Sequence, residues 1–392
     1  MTSAIGFDIQ EVFDALTNYR SGVQKICYLN TRHRGELLAA EVKASNEELT
    51  DRLGLKEARK YSRSALLGIM AAREAFQSAQ LNEYSQLKTG LVSATSVGGI
   101  DRSEVFFREY LEDPKSGGDL RFMISHDCGD STERIADDLG IHDYVTTIST
   151  ACSSSANAMI LGARLIKSGI LDRVIVGGTD ALTCYTLNGF NALRILDSNW
   201  CRPFDQNRNG LNLGEAAAYL VLESEKAVTV SGKSALCELV GYGNANDAYH
   251  QTASSPDGAG ALKAMQIALK TSGLAPKQID YINAHGTATL NNDLSEGQAI
   301  KSLFRDYLPS FSSTKSYTGH TLAAAGAVEA VISVLSLRHQ ILVPNLNFTK
   351  PIEELKIEPL LELQKETTVR SVLSNSFGFG GNCSSMIFST CN

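Results

Sequence analysis

Apolar residues recur at helical spacing from Tyr61 to Ser78, and the next segment, LKTGLVSATSVGG (87–99), reads as a buried strand running into a glycine-rich loop. From Tyr144 the pattern becomes regular. VTTIST predicts a strand, Ala151–Cys152 a turn, SSSANAMILGARLIKSG a helix closed by Gly169, and RVIVGG a second buried strand. That is a βαβ unit. A second series follows in the last third: IDYINAHG predicts a strand ending in a loop, TLAAAGAVEAVISVLSLRHQ a long helix of small residues, and SVLSNSFGF and SSMIFST two closing strands. Residues 101–140 are polar and aromatic without a strong period, and predict a helical insertion above the main sheet.

Strands alternating with helices in both parts imply an α/β fold of buried sheets covered by helices. A chain of 392 residues suits two fused halves. The boundary is expected between Glu223 and Val240, giving halves 1–232 and 233–392. No proline- or serine-rich linker marks it, so the halves should pack tightly.

With 43% hydrophobic and 20% charged residues, the chain has the composition of a folded protein. Its net charge of −7 argues against nucleic acid or an anionic membrane surface as partner. The eight cysteines show neither CxxC spacing nor the density of a disulfide scaffold, which fits a reducing cytoplasm. No apolar run is read as reaching the ~18–20 residues of a membrane helix, and the N-terminus does not read as a leader.

Three positions could carry chemistry. Cys152 falls after a strand and at a helix start, where partial positive charge and free N–H groups favour a thiolate and can cradle an oxyanion. The same position would also suit a small buried residue. His285, in NAHGTAT, lies at the end of a strand. His320, in KSYTGH, precedes a helix whose dipole keeps its ring neutral. Each histidine alone reads as structural, but with a thiol on a third loop they form a set suited to nucleophilic acyl chemistry. Lys315 and Glu329 flank His320 in sequence and could pair near it. The GFGG run at 378–381 allows close backbone approach but lacks dinucleotide spacing. Asp293 and Glu296 read as first-turn helix acids, and no histidine shows metal-ligand spacing, so neither a metal nor a cofactor is expected.

TACSSS (150–155), NAHGTAT (283–289), KSYTGH (315–320) and NSFGFGGN (375–382), in this order, resemble the type II β-ketoacyl-acyl carrier protein synthases of the thiolase superfamily. The resemblance implies a thiolase-like fold, with two similar halves in five α-β-α-β-α layers. It also implies condensation of an acyl thioester held on Cys152 with malonyl-acyl carrier protein, in fatty acid biosynthesis. By the same resemblance His285 and His320 stabilise the charge formed on decarboxylation, Lys315 and Glu329 support the second of them, His320, and Phe379 is a gate among Phe377, Gly378 and Gly380. The N–H groups of Phe379 and Cys152 would form the oxyanion hole. Arg59 and Lys60 match basic positions that receive the acidic carrier, and the family forms homodimers. The opening MTSAIGFDIQEV lacks the family's apolar first strand, which is therefore expected to be absent. Three other roles remain open: a ketosynthase of a polyene, aryl polyene or polyketide pathway, a non-catalytic chain-length partner, and a thioester hydrolase.

Overall fold

In the computed structural model, which describes residues 1–83, 86–113, 115 and 118–391, the main strands form two five-stranded sheets. The first contains β1 (Thr2–Ser3), β2 (Thr89–Ala94), β3 (Tyr144–Ile148), β4 (Arg173–Asp180) and β5 (Ala216–Glu223), in the order β1-β5-β4-β2-β3. The second contains β6 (Glu238–Asn246), β7 (Tyr281–Asn283), β8 (Ser310–Ser312), β9 (Ser371–Gly378) and β10 (Asn382–Ser389), in the order β6-β10-β9-β7-β8. Each half thus repeats one arrangement. Its second strand lies parallel between its third and fourth, and its fifth lies antiparallel between its fourth and first.

Helices complete the layers. α1 (Arg63–Ser78) and α3 (Cys128–Leu139) cover the outer face of the first sheet, their side chains sharing one apolar core with β2, β4 and β5. α4 (Ser154–Lys167) and α7 (Ala325–His339) lie between the sheets in the largest core cluster, while α5 (Ala259–Ser272) and α6 (Leu290–Phe304) close the second sheet. The result is the expected α-β-α-β-α stack.

Two expectations need correction. The opening strand is present, but as only two residues where its counterpart β6 has nine. The stretch Leu322–His339 does reach membrane length, with 18 residues and a mean hydropathy of 1.4, yet 89% of it is buried. A helix apolar on every side can also be one enclosed between two sheets, and α7 is that case.

The insertion is helical, as its composition implies. α2 (Ile100–Glu112) is followed by a 3₁₀ segment, Leu120–His126, and then by α3. No residue of α2 is fully buried, and Phe107 and Leu111 are 58% and 61% exposed. At the far edge of the first sheet, β3 pairs among the described residues on one side only, with β2.

Candidate active site

Three strand ends deliver the chemistry. The loop after β3 carries Cys152, the loop after β7 carries His285, and the segment after β8 carries Lys315 and His320. The backbone takes left-handed angles beside each of them: φ is +52° at Ala151, +65° at Ala288 and +52° at Leu322. Residues with side chains adopt this region only when the surroundings enforce it, which is common at functional sites. Gly378 is required by contact rather than by φ. A Cβ there would lie 2.9 Å from Thr150 O and 3.2 Å from Cys152 N.

The side chains converge. His320 Nε2 lies 3.1 Å from Cys152 Sγ. The rings of His285 and His320 meet edge to face, with centroids 5.5 Å apart, and Phe377 packs 5.7 Å from His285. Lys315 Nζ lies 3.2 Å from His285 Nδ1 and also pairs with Glu329. An ammonium can only donate, so His285 Nδ1 accepts and its own proton sits on Nε2. Burial and the Lys315 charge hold both imidazoles well below their ordinary pKa, so both are neutral at pH 7. Burial pushes the Glu329 carboxyl up to about 7 against the pull of Lys315.

The thiol departs from expectation. Burial pushes Cys152 up to about 11, although Lys315 and the N–H groups of Phe379 and Cys152 pull the other way. Its helix begins at Ser154, so the thiol lies ahead of the first turn, and desolvation outweighs the terminal charge. Cys383 lines the same cavity and is pushed up to about 12, without those compensating partners. In the free protein, alkylation of Cys152 by iodoacetamide should therefore rise about tenfold per pH unit from about pH 7 to 10. A plateau near the ordinary thiol value of about 8.5 would contradict this.

Other buried groups position these loops, and sequence patterns did not reveal them. Glu296 accepts the N–H groups of His285 (2.9 Å) and Gly286 (2.8 Å), and Asn375 braces it at 3.0 Å. Asp293 accepts those of Phe204 (2.7 Å) and Ala288 (3.1 Å). The sequence places both as first-turn helix acids, but their carboxyl groups are buried and grip the histidine loop. Asn212 O accepts the His320 N–H at 2.7 Å, and Asp180 accepts Ala323 N–H at 2.8 Å. No sequence motif marks Asn212 or Asp180, and only the burial of all four groups exposes the role.

A cavity of about 250 Å³ reaches Cys152, His285 and His320, with Phe379, Thr287 and Thr289 along its wall. Phe379 sits beside Gly380, whose φ is +83°, and its ring stacks on Phe190 at 5.7 Å. Arg59 and Lys60 lie elsewhere, on the exposed turn Ala58–Lys60, where Lys60 pairs with Glu57 at 3.0 Å. Among the described residues, no cluster of histidine, cysteine and acidic side chains could hold a metal ion.

Comparison with known proteins agrees with this geometry. Residues 2–227 match the N-terminal domain of the β-ketoacyl synthases and residues 236–349 the C-terminal domain. The chain is 34% identical over 396 residues to the 3-oxoacyl-[acyl-carrier-protein] synthase 2 of Staphylococcus aureus, covering 98% of each. It is 33% identical to nodulation protein E of Rhizobium meliloti strain 1021, covering 98% of this chain and 96% of the relative. Among solved structures it superposes on the ishigamide ketosynthase/chain length factor with a TM-score of 0.94 at 28% identity, covering 100% and 97% of the two chains. A ketosynthase in complex with its chain length factor from Xenorhabdus doucetiae gives 0.85 at 32% identity, over 99% and 96%.

Proposed function

This chain belongs to the β-ketoacyl synthase family and is a condensing acyltransferase, and from that premise we propose that Cys152 is acylated and then condensed with malonyl-acyl carrier protein in fatty acid biosynthesis. The observation that carries the assignment of roles is the contact of His320 Nε2 with Cys152 Sγ, inside one cavity that also holds His285.

In the first half-reaction Sγ attacks the thioester carbonyl carbon of the acyl carrier. His320 takes the thiol proton and returns it to the departing carrier thiol. The oxygen charge that forms meets the N–H groups of Cys152 and Phe379, both of which face Sγ. In the second, malonyl thioester enters, its terminal C–C bond breaks, carbon dioxide leaves, and the electron pair becomes an enolate. His285 offers Nε2–H to the enolate oxygen. His320 can do the same once Cys152 is esterified, because its Nδ1 has no partner among the described residues to hold the proton there. The enolate carbon then attacks the Cys152 thioester and expels the thiolate, which leaves a β-keto product two carbons longer on the carrier. His320 is positioned to pass to the freed sulfur the one proton that the cycle takes up from solvent. Neutral histidines suit this work, since each must donate without being acidic enough to quench the enolate.

Further proposals concern assembly. The open edge of β3, with Val145 37% exposed, supports pairing of two copies as a homodimer. The exposure of Arg59 and Lys60 supports docking of an acidic carrier there. The division into halves at 232/233 falls between the two matched domains. Eight free cysteines support a cytoplasmic setting.

Intact and native mass spectrometry of the protein mixed with acyl and malonyl carriers tests this. The expected result is a dimer, an acyl adduct on Cys152, and a carrier product extended by a two-carbon β-keto unit. Cys152→Ala should lack both adduct and product. Acid released without chain extension would point instead to a hydrolase.

A further inference from the structure

The mechanism leaves one contact unused, and it lies outside the cavity. Glu104, half-buried on α2, reaches the N-terminus of the helix Cys184–Ala192. It accepts the N–H groups of Tyr185 at 2.5 Å and Cys184 at 3.3 Å, while the Thr183 hydroxyl accepts that of Thr186 at 3.1 Å. The first-turn donors are thus met by a carboxylate and a hydroxyl, and the negative charge lies at the positive end of the helix.

That helix carries Phe190, about a turn and a half further on. Phe190 stacks on Phe379 with the rings 5.7 Å apart and 17° from parallel, and both line the cavity that holds Cys152. Phe379 is flanked by Gly378 and Gly380, so neighbouring side chains in its own loop give it no lateral support. Its backbone N–H is one of the two that face Cys152 Sγ. A shift of the Phe190 helix would therefore move the gate and one donor of the oxyanion hole together.

We infer that Glu104 is a positioning residue for acyl transfer: by fixing the N-terminus of the Cys184–Ala192 helix it holds Phe190 against Phe379 and so keeps the cavity ready to receive the acyl thioester. The inference rests on the roles given to Cys152 and Phe379 above. It also gives α2, a helix with no fully buried residue, a link to the site: what shifts α2 shifts Glu104.

The test uses the full chain with octanoyl-loaded and malonyl-loaded acyl carrier protein. It measures the rate of adduct formation on Cys152 and, separately, carbon dioxide release from malonyl carrier. Glu104→Ala should slow acylation about tenfold and leave carbon dioxide release within about twofold, because His285 and His320 are held by other residues. Glu104→Gln keeps an acceptor oxygen and should stay within about threefold of the parent. In a Phe190→Ala background, adding Glu104→Ala should cost nothing more, since the two act through one contact. Losses that multiply in the double variant would overturn the inference. So would a parallel fall in acylation and carbon dioxide release, which would mark a merely structural role. Failure of the parent protein to acylate Cys152 would instead remove the reading of function itself.

Discussion

Alanine at His285 leaves Cys152 fully acylated but lowers condensation by roughly 10²–10³-fold. The two histidines touch different things. His320 Nε2 lies 3.1 Å from Sγ, whereas His285 lines the same cavity, is held by Lys315 at Nδ1 and so carries its proton on Nε2. Removing His285 therefore takes one donor from the enolate without touching the thiol's proton partner. Removing His320 should slow both steps. Mixing each variant with acyl carrier and reading the intact mass measures the first step, and adding malonyl carrier measures the second. If His285→Ala were to acylate as poorly as His320→Ala, the division of roles would be wrong.

How much of this was legible in sequence depends on what each residue had to do. Helix α1 showed itself through apolar residues at helical spacing, whereas β3, β4 and β9 and helices α4 and α7 showed themselves as runs of apolar and small residues whose lengths suit a strand or a helix. Strand β6 did not, although it is the longest strand of the second sheet. Its sequence, ELVGYGNAN, is broken by glycines where α5 presses on it: a Cβ at Gly241 would lie 2.4 Å from Ala268 O, and one at Gly243 would lie 2.2 Å from Ala264 O. Close packing of a helix on a strand requires the residues that erase a strand's signature. Strand β1 escaped for a simpler reason, since two residues carry no period.

The site divides in the same way. Cys152, His285, His320 and Lys315 stand in short contiguous motifs, so a resemblance can carry them. Glu296 and Asp293 hold the nearby histidine loop from a helix whose start reads as an ordinary one, whereas Asn212 and Asp180 act on backbone N–H groups more than a hundred residues away. No spacing rule connects a donor and an acceptor that meet only once both sheets have formed. The thiol's pKa was misjudged on similar grounds. A helix start can be read from sequence, but the burial that outweighs it cannot.

Loss of Lys315 should cost both stability and activity, and the two can be separated. In the folded protein Lys315 donates to Glu329 and to His285 Nδ1 in a fully enclosed space. Lys315→Ala leaves the Glu329 carboxylate buried and unpaired, with Oε2 already lacking a partner among the described residues. Breaking such a pair from one side costs about 3–5 kcal/mol. The cost depends on pH in a definite direction. The folded-state pKa of Glu329 stands at about 7 with Lys315 present, and it must move higher without it. A carboxyl raised on folding binds more protons in the folded state, so stability falls as pH rises from the unfolded value of about 4.3 through the folded one. The parent levels off above about pH 7, whereas Lys315→Ala continues to lose stability. Its melting temperature should therefore trail the parent's slightly near pH 5, where Glu329 is protonated and neutral, and by roughly 5–10 °C near pH 8. Adding Glu329→Gln removes the charge and should restore most of the melting temperature at pH 8. Condensation should stay about 10²-fold down, because nothing then donates to His285 Nδ1 and the ring is free to place its proton on the side away from the substrate. A deficit in melting temperature that is flat with pH would rule out the buried charge as its cause. Recovery of activity in the double variant would show that Lys315 serves the fold alone.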